Sequence, residues 1–121
     1  MLHHVGIEVV PADVERSVEL WQLLGFERVE PPPTLSEYVW LEREGTQIHL
    51  MPTGSPTVPP HGHTAVVVAD FERDCEALRG AGFEIERRRE HWGAPRAVVV
   101  APGGHRVELM AATPSTAKAQ G

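Results

Sequence analysis

Apolar residues follow two different periods along the chain. Seven segments have the alternation or the apolar run that is typical of strands, at 2–10, 37–42, 46–51, 63–69, 84–88, 96–101 and 106–110. Two segments have apolar residues at helical spacing instead, namely Val14, Val18, Trp21 and Leu24, and then Phe71, Cys75 and Leu78. The pattern predicts an α+β fold with one helix in each half of the chain.

The two halves repeat one another. Ala-Asp-Val-Glu-Arg at 12–16 returns as Ala-Asp-Phe-Glu-Arg at 69–73, and Gly-Phe-Glu at 25–27 returns at 82–84, both at an offset of 57 residues. We expect Asp13 and Asp70 to cap the two helices and Gly25 and Gly82 to end them. The chain is therefore interpreted as two related modules of strand, helix and further strands.

The repeat also suggests the domain boundaries. We expect a single domain over about 1–112, with module one at about 1–52 and module two at about 62–112. The linker at about 53–61 falls in a stretch, 52–60, that holds four prolines and little apolar pattern. Residues 113–121 are small and polar and are predicted to form a flexible tail.

Composition excludes several classes of function. With 121 residues the chain has room for one domain, and its net charge of −6 disfavours nucleic acid as a partner. No apolar stretch has the length of a membrane span, and the N-terminus lacks the pattern of a signal peptide, so a cytoplasmic location is the expectation. Cys75 is the single cysteine, which rules out an intrachain disulfide, and we expect it to be a buried helix residue.

Polar residues interrupt the strands on the face that should point away from the helices. Alternation places His4 and His49 on this face in the first half and His63 and Glu108 in the second, with 45 residues between the members of each pair. Three imidazoles and one carboxylate suit a divalent first-row metal such as zinc, nickel, manganese, iron or cobalt. The alternative interpretation is a set of hydrogen-bonded core histidines or a solvent-facing sheet surface.

Five runs of residues resemble a known family: 2–7 (LHHVGI), 25–26 (GF), 48–50 (IHL), 62–65 (GHTA) and 103–109 (GGHRVEL). They are similar to those of the vicinal oxygen chelate superfamily, which includes glyoxalase I, methylmalonyl-CoA epimerase, bleomycin resistance proteins and extradiol dioxygenases. The resemblance covers about residues 2–111. It implies two βαβββ modules that form a curled mixed sheet, or cup, with the helices on its outer face, often completed by a second chain.

The resemblance assigns metal-ligand positions to His4, His49, His63 and Glu108. The position of His49 is usually glutamate in glyoxalase I and glutamine in the epimerase, so Glu108 is the remaining candidate for a catalytic base. An ungapped repeat selects His61 in place of His63, although the Gly-His-apolar run favours His63. Whether the ligands come from one chain or two stays open.

The full ligand set favours an enzyme. The expected function is that of a glyoxalase-like, divalent-metal-dependent lyase or isomerase that forms a homodimer and whose small substrate chelates the metal through vicinal oxygens. One alternative is a metal-independent drug- or metabolite-binding protein of the bleomycin-resistance type. Another is an iron-dependent extradiol-type dioxygenase.

Weaker candidates lie near the expected mouth of the cup. Trp92 and Arg96 precede or begin a strand there and are candidate substrate contacts, whereas the simpler interpretation is that Trp92 covers the edge of the core. Trp40 lies on a strand that alternation does not orient, so it either lines the cavity or packs under a helix. The basic run Arg87-Arg88-Arg89 is interpreted as a solvated strand end.

Overall fold

The computed structural model describes residues 1–120. Module one contains strand β1 (His4–Val9), helix α1 (Val14–Leu23) and strands β2 (Glu27–Val29), β3 (Val39–Arg43) and β4 (Thr46–Pro52). Module two contains strand β5 (Thr64–Val67), helix α2 (Phe71–Gly80) and strands β6 (Ile85–Arg88), β7 (Arg96–Val100) and β8 (Arg106–Met110). Each module is thus a βαβββ unit, as predicted.

Each module builds its own four-stranded mixed sheet. The strand orders are β1-β4-β3-β2 and β5-β8-β7-β6, in which the pairs β1–β4 and β5–β8 are parallel and the others antiparallel. The α+β class is therefore confirmed, but the strands form two separate sheets and no closed cup within the chain. Strand β2 was not predicted from the pattern, because its three residues are too few to display alternation.

Both predicted glycine ends of the helices are confirmed, and one of the two predicted aspartate caps makes a capping bond. Gly25 and Gly82 have φ angles of 89° and 88°, in the left-handed region that glycine adopts without strain. The Asp70 carboxylate accepts a hydrogen bond of 3.3 Å from the Arg73 amide, as expected of a cap. Asp13 occupies the predicted N-cap position of α1, but its side chain makes no capping bond, and a 3-10 turn at Pro11–Asp13 leads directly into the helix.

The core lies between the sheets and the helices. Leu20, Leu41, Leu50 and Leu78 are completely buried, and the Trp21 ring packs edge-on against Phe26 with the ring centroids 5.2 Å apart. Further core residues are Ile48, Val99, Val107, Leu109 and Cys75. Burial raises the pKa of the Cys75 thiol, which favours a packing role for this residue over a reactive one.

Contacts between the modules hold the chain together as one unit. His105 is buried, and its Nε2 donates a 2.7 Å hydrogen bond to the Glu8 carbonyl of β1. The Arg16 guanidinium on α1 donates to the Ala81 carbonyl at 2.6 Å and lies 3.7 Å from the centroid of the Phe83 ring. Within residues 1–120, no helix is both long enough and apolar enough to span a membrane.

Candidate functional site

The parallel strand pair has the same register in both modules. Gly6 of β1 is opposite His49 of β4, and Ala65 of β5 is opposite Glu108 of β8. His4 lies two residues before Gly6, and His63 lies two residues before Ala65. The two histidines therefore occupy equivalent places in the strand pairing, although the helices repeat at a different offset. This equivalence supports His63 over His61 as the counterpart of His4.

His63 and Glu108 face each other directly. The Nε2 atom of His63 lies 3.3 Å from Oε1 of Glu108, and the Glu108 side chain is almost fully buried. His63 Nδ1 lies 2.9 Å from the His61 carbonyl oxygen, which can only accept, so Nδ1 carries a proton. In the neutral form with the proton on Nδ1, Nε2 would be unprotonated and would point at a carboxylate oxygen. Either a second proton, which makes an imidazolium–carboxylate ion pair, or a cation between the two atoms removes the repulsion of that form.

Arg96 holds the other oxygen of the same carboxylate. Its Nε donates to Oε2 of Glu108 at 2.9 Å, and a second guanidinium nitrogen donates to the Arg89 carbonyl at 3.3 Å. Arg96 thereby fixes the orientation of the carboxylate while Oε1 stays directed at His63.

The module-one histidines form an aromatic stack. The ring of His49 lies between those of His4 and Trp40, with both centroid separations at 4.0 Å and interplanar angles of 14° and 0°. Trp40 is opposite His49 in the antiparallel pairing of β3 and β4, and this register places the indole on the same face. The structure thus settles the orientation of Trp40, which alternation alone left undetermined.

Hydrogen bonds fix the protonation pattern of His49. Gln47 donates from Nε2 to Glu42 at 2.8 Å, so its amide oxygen faces His49 Nε2, also at 2.8 Å. His49 therefore donates from Nε2 and keeps an unprotonated Nδ1. Burial lowers the pKa of His49, and the nearby His4 and His3 lower it further, which favours the neutral imidazole that binds metals.

The lowered pKa of His49 predicts a dependence of stability on pH. Because the folded-state pKa lies below the ordinary value of 6.5, the unfolded chain takes up a proton first as the pH falls. We expect the thermal midpoint of the metal-free protein to decrease between about pH 7.5 and about pH 5.5. The variant H49L should show a smaller decrease in differential scanning fluorimetry with a chelator present. An unchanged pH dependence in H49L would contradict the assignment.

A single chain brings the four predicted ligands together as two pairs. His4 stacks on His49 and His63 faces Glu108, but no group of three or more His, Cys, Asp or Glu side chains within residues 1–120 is arranged to hold a metal ion.

The two predicted substrate contacts have different surroundings. Arg96 lines a cavity of about 230 Å³ together with His63 and Glu108. Trp92 is half-buried, and its indole N–H donates to the Ala112 carbonyl at 2.9 Å, so this side chain ties the end of the domain to the preceding loop. This hydrogen bond places Trp92 beside Ala112, and Trp92 is not among the residues that line the cavity around Arg96.

Sequence reasoning did not assign several side chains at the site. Arg88 and Arg106 line the same cavity as Arg96, although the basic run that contains Arg88 was interpreted as a solvated strand end. A larger cavity of about 420 Å³ lies at the seam between β1 and module two, and the two cavities share His63 and Arg106. The clue available in the sequence was the set of arginines at the ends of β6, β7 and β8.

Comparisons of structure agree with the fold. A glyoxalase family protein from Bacillus anthracis is 20% identical over 91% of this chain and 93% of its own, with a TM-score of 0.80. The fosfomycin resistance protein FosX from Listeria monocytogenes is 20% identical over 93% and 91%, with a TM-score of 0.77. The antibiotic binding protein TnmS3 from Streptomyces sp. CB03234 is 19% identical over 91% and 93%, with a TM-score of 0.70. At these identities the likeness concerns the fold alone.

Comparisons of sequence identify the family. No curated protein has a significant match to the chain. The model of the glyoxalase/bleomycin resistance protein/dioxygenase superfamily, in contrast, matches residues 1–109 and so spans both modules and all four candidate ligands. The chain therefore belongs to the glyoxalase/bleomycin resistance protein/dioxygenase superfamily.

Proposed function

We propose that the protein is a divalent-metal-dependent lyase or isomerase of the glyoxalase type. Its ligands are His4 and His49 of one protomer with His63 and Glu108 of a second protomer, so that a homodimer contains two equivalent sites. The substrate is a small molecule with two vicinal oxygens.

The observation that carries this proposal is the geometry of His63 and Glu108. Two atoms that lie about 2.0–2.2 Å from one ion are about 2.8–3.6 Å from each other, depending on whether the angle at the ion is near the octahedral or the tetrahedral value. The separation of 3.3 Å between Nε2 and Oε1 falls in this range, and neither atom has another hydrogen-bond partner among residues 1–120. The pair therefore fits two ligands of one divalent ion.

The module-one pair supplies donors of the type that the same ion binds, although the stacked rings of His4 and His49 have to turn before both direct a nitrogen at one position. His49 is held as a neutral imidazole with a free Nδ1, and His4 lies against it. Three imidazoles and one carboxylate form a donor set that zinc, nickel, manganese, iron and cobalt accept. Since the two pairs of one chain are not assembled, we infer that the partner's pair completes each site.

The residues at the site have separate roles. A bound divalent ion supplies Lewis acidity that stabilises negative charge on the substrate's vicinal oxygens. Arg96 fixes the orientation of Glu108, and the His61 carbonyl fixes that of His63, each through one hydrogen bond. Glu108 is the one carboxylate among the four proposed ligands and is assigned as the proton acceptor.

Metal content is the decisive test of the proposed function. We expect tag-free protein to contain close to one divalent ion per chain by elemental analysis, and the stripped protein to gain thermal stability with nickel, zinc, manganese or cobalt. An absence of both stoichiometric metal and metal-induced stabilisation would overturn the proposal. Loss of the metal signal in chelator, followed by recovery on addition of metal, is the internal control.

A second candidate function is supported by the aromatic stack. Trp40 and His49 lie in parallel planes, and such a surface can stack against a planar ligand, as a binding protein of the bleomycin-resistance type requires. Saturable binding of a planar aromatic antibiotic in the presence of chelator, without product formation, would favour this function. Oxygen uptake with ferrous protein and a catechol would instead favour the dioxygenase alternative.

A further inference from the structure

The cavity beside Glu108 carries an excess of positive charge. Arg88, Arg96 and Arg106 line it together with a single carboxylate, Glu108, which leaves two positive charges in excess when His61 and His63 are neutral. The whole chain, in contrast, has a net charge of −6. A concave basic site in an acidic protein favours binding of an anion.

Two of the three guanidinium groups have donors to spare. Arg96 is engaged by Glu108 and the Arg89 carbonyl, as described above. Within the described chain, Arg106 forms no salt bridge and donates to the Pro60 carbonyl, while Arg88 has one carboxylate contact, to Glu86 at 3.8 Å. Since each guanidinium has five N–H donors, Arg88 and Arg106 retain most of their capacity for an external ligand.

The strand register adds an electrostatic reason for an anion. Arg88 of β6 is directly opposite Arg96 of β7 in the antiparallel ladder, and both side chains line the cavity. Like charges in this position repel each other; Glu108 pairs with Arg96, and Arg88 has the more distant, exposed Glu86 at 3.8 Å. A bound carboxylate, phosphate or phosphonate group removes the remaining repulsion through charge-assisted hydrogen bonds.

The neighbouring seam cavity indicates what the rest of the ligand looks like. Its volume is about 420 Å³, and Val5, Ile7, Trp21 and Met51 contribute apolar surface to its walls. His63 and Arg106 line both cavities, so a ligand whose anionic group lies in the basic cavity can extend along these side chains into the seam cavity.

We propose that the substrate is an amphipathic anion, in which a carboxylate, phosphate or phosphonate binds to Arg88 and Arg106 and an adjoining apolar group occupies the seam cavity. This inference extends the proposed function and depends on it only in calling the bound anion a substrate. The binding itself requires only this chain's arginines and is independent of any metal.

Isothermal titration of the metal-free protein, with chelator present, tests the proposal. The probes are phenylphosphonate and methylphosphonate, which share the anionic group and differ in apolar surface. We expect saturable binding of phenylphosphonate, about tenfold tighter than that of methylphosphonate, because the phenyl ring buries apolar surface in the seam. The variants R88A and R106A should each weaken binding of phenylphosphonate by about tenfold or more.

The matched control is R73A, which removes an exposed arginine on α2 outside both cavities. We expect it to bind like the wild type. Absence of saturable binding to wild-type protein, or unchanged affinity in both R88A and R106A, would overturn the proposal, and equal affinity for the two probes would overturn its apolar part. R88Q and R106Q replace the alanine variants if circular dichroism shows loss of the fold. Elemental analysis of the same protein tests metal binding separately, so that either proposal can fail without the other.

Discussion

Replacing Glu108 with glutamine is expected to abolish high-affinity metal binding while preserving the fold. The glutamine side-chain oxygen can still accept the hydrogen bond from Arg96, so the local packing survives. The negative charge opposite His63 is lost, and a neutral amide is a much weaker ligand than a carboxylate. We expect the affinity for nickel or zinc to fall by about 100-fold or more, as measured by competition with a coloured chelator.

The matched control is E76Q, which makes the same substitution at an exposed carboxylate on α2. This variant should bind metal with wild-type affinity. Circular dichroism should be close to wild type for both variants, whereas the thermal midpoint of metal-free E108Q should be lower, because its neutral amide no longer offsets the charge of Arg96. Tight metal binding in a folded E108Q protein would remove Glu108 from the ligand set and with it the proposed proton acceptor.

The fold was accessible from the sequence because its signals are local. The repeated Ala-Asp-x-Glu-Arg and Gly-Phe-Glu runs fixed the order of elements, and glycine has a low-strain positive φ at Gly25 and Gly82. Both aspartates occupy the N-cap position, but only Asp70 makes the capping bond, because Asp13 ends a 3-10 turn that begins at Pro11. A proline two residues before an expected cap was the local signal that the prediction ignored.

The candidate site was only partly accessible, because alternation defines a face of a strand and not its neighbours. It placed His4 and His49 on one face, and their rings are indeed stacked. It contained no information on how the two sheets are arranged, so it left open whether His63 and Glu108 meet that pair within the chain. The pairwise arrangement follows from tertiary packing, in which His105 and Arg16 join the modules.

Charged side chains at strand ends were the hardest to interpret. Arg87 and Arg88 are adjacent in a basic run that looks solvated in the sequence. Arg87 does pair with Glu72 on α2, whereas Arg88 points into the basic cavity because successive side chains of a strand alternate between the two faces. Recognising this cavity requires the register between β6 and β7, which no local signal provides.

Mixed dimers should reveal the origin of the ligands. One parent chain carries H4A and H49L, which remove the module-one pair, and the other carries H63A and E108Q, which remove the module-two pair. We expect neither parent homodimer to bind metal tightly. If each site combines the module-one pair of one protomer with the module-two pair of the other, the heterodimer purified with two different tags contains one intact site and one site without ligands. It should therefore bind one ion per dimer.

A second heterodimer separates this arrangement from a rearranged single-chain site. It pairs a wild-type chain with a chain that carries all four substitutions. In the proposed dimer both of its sites keep only two ligands, so tight metal binding should be absent, whereas a site built within one chain would still bind one ion. A metal-binding second heterodimer together with a metal-free first one would reverse the assignment. Because the two heterodimers contain the same number of substituted ligands, the contrast reports on how the ligands are distributed between chains and not on how many are lost.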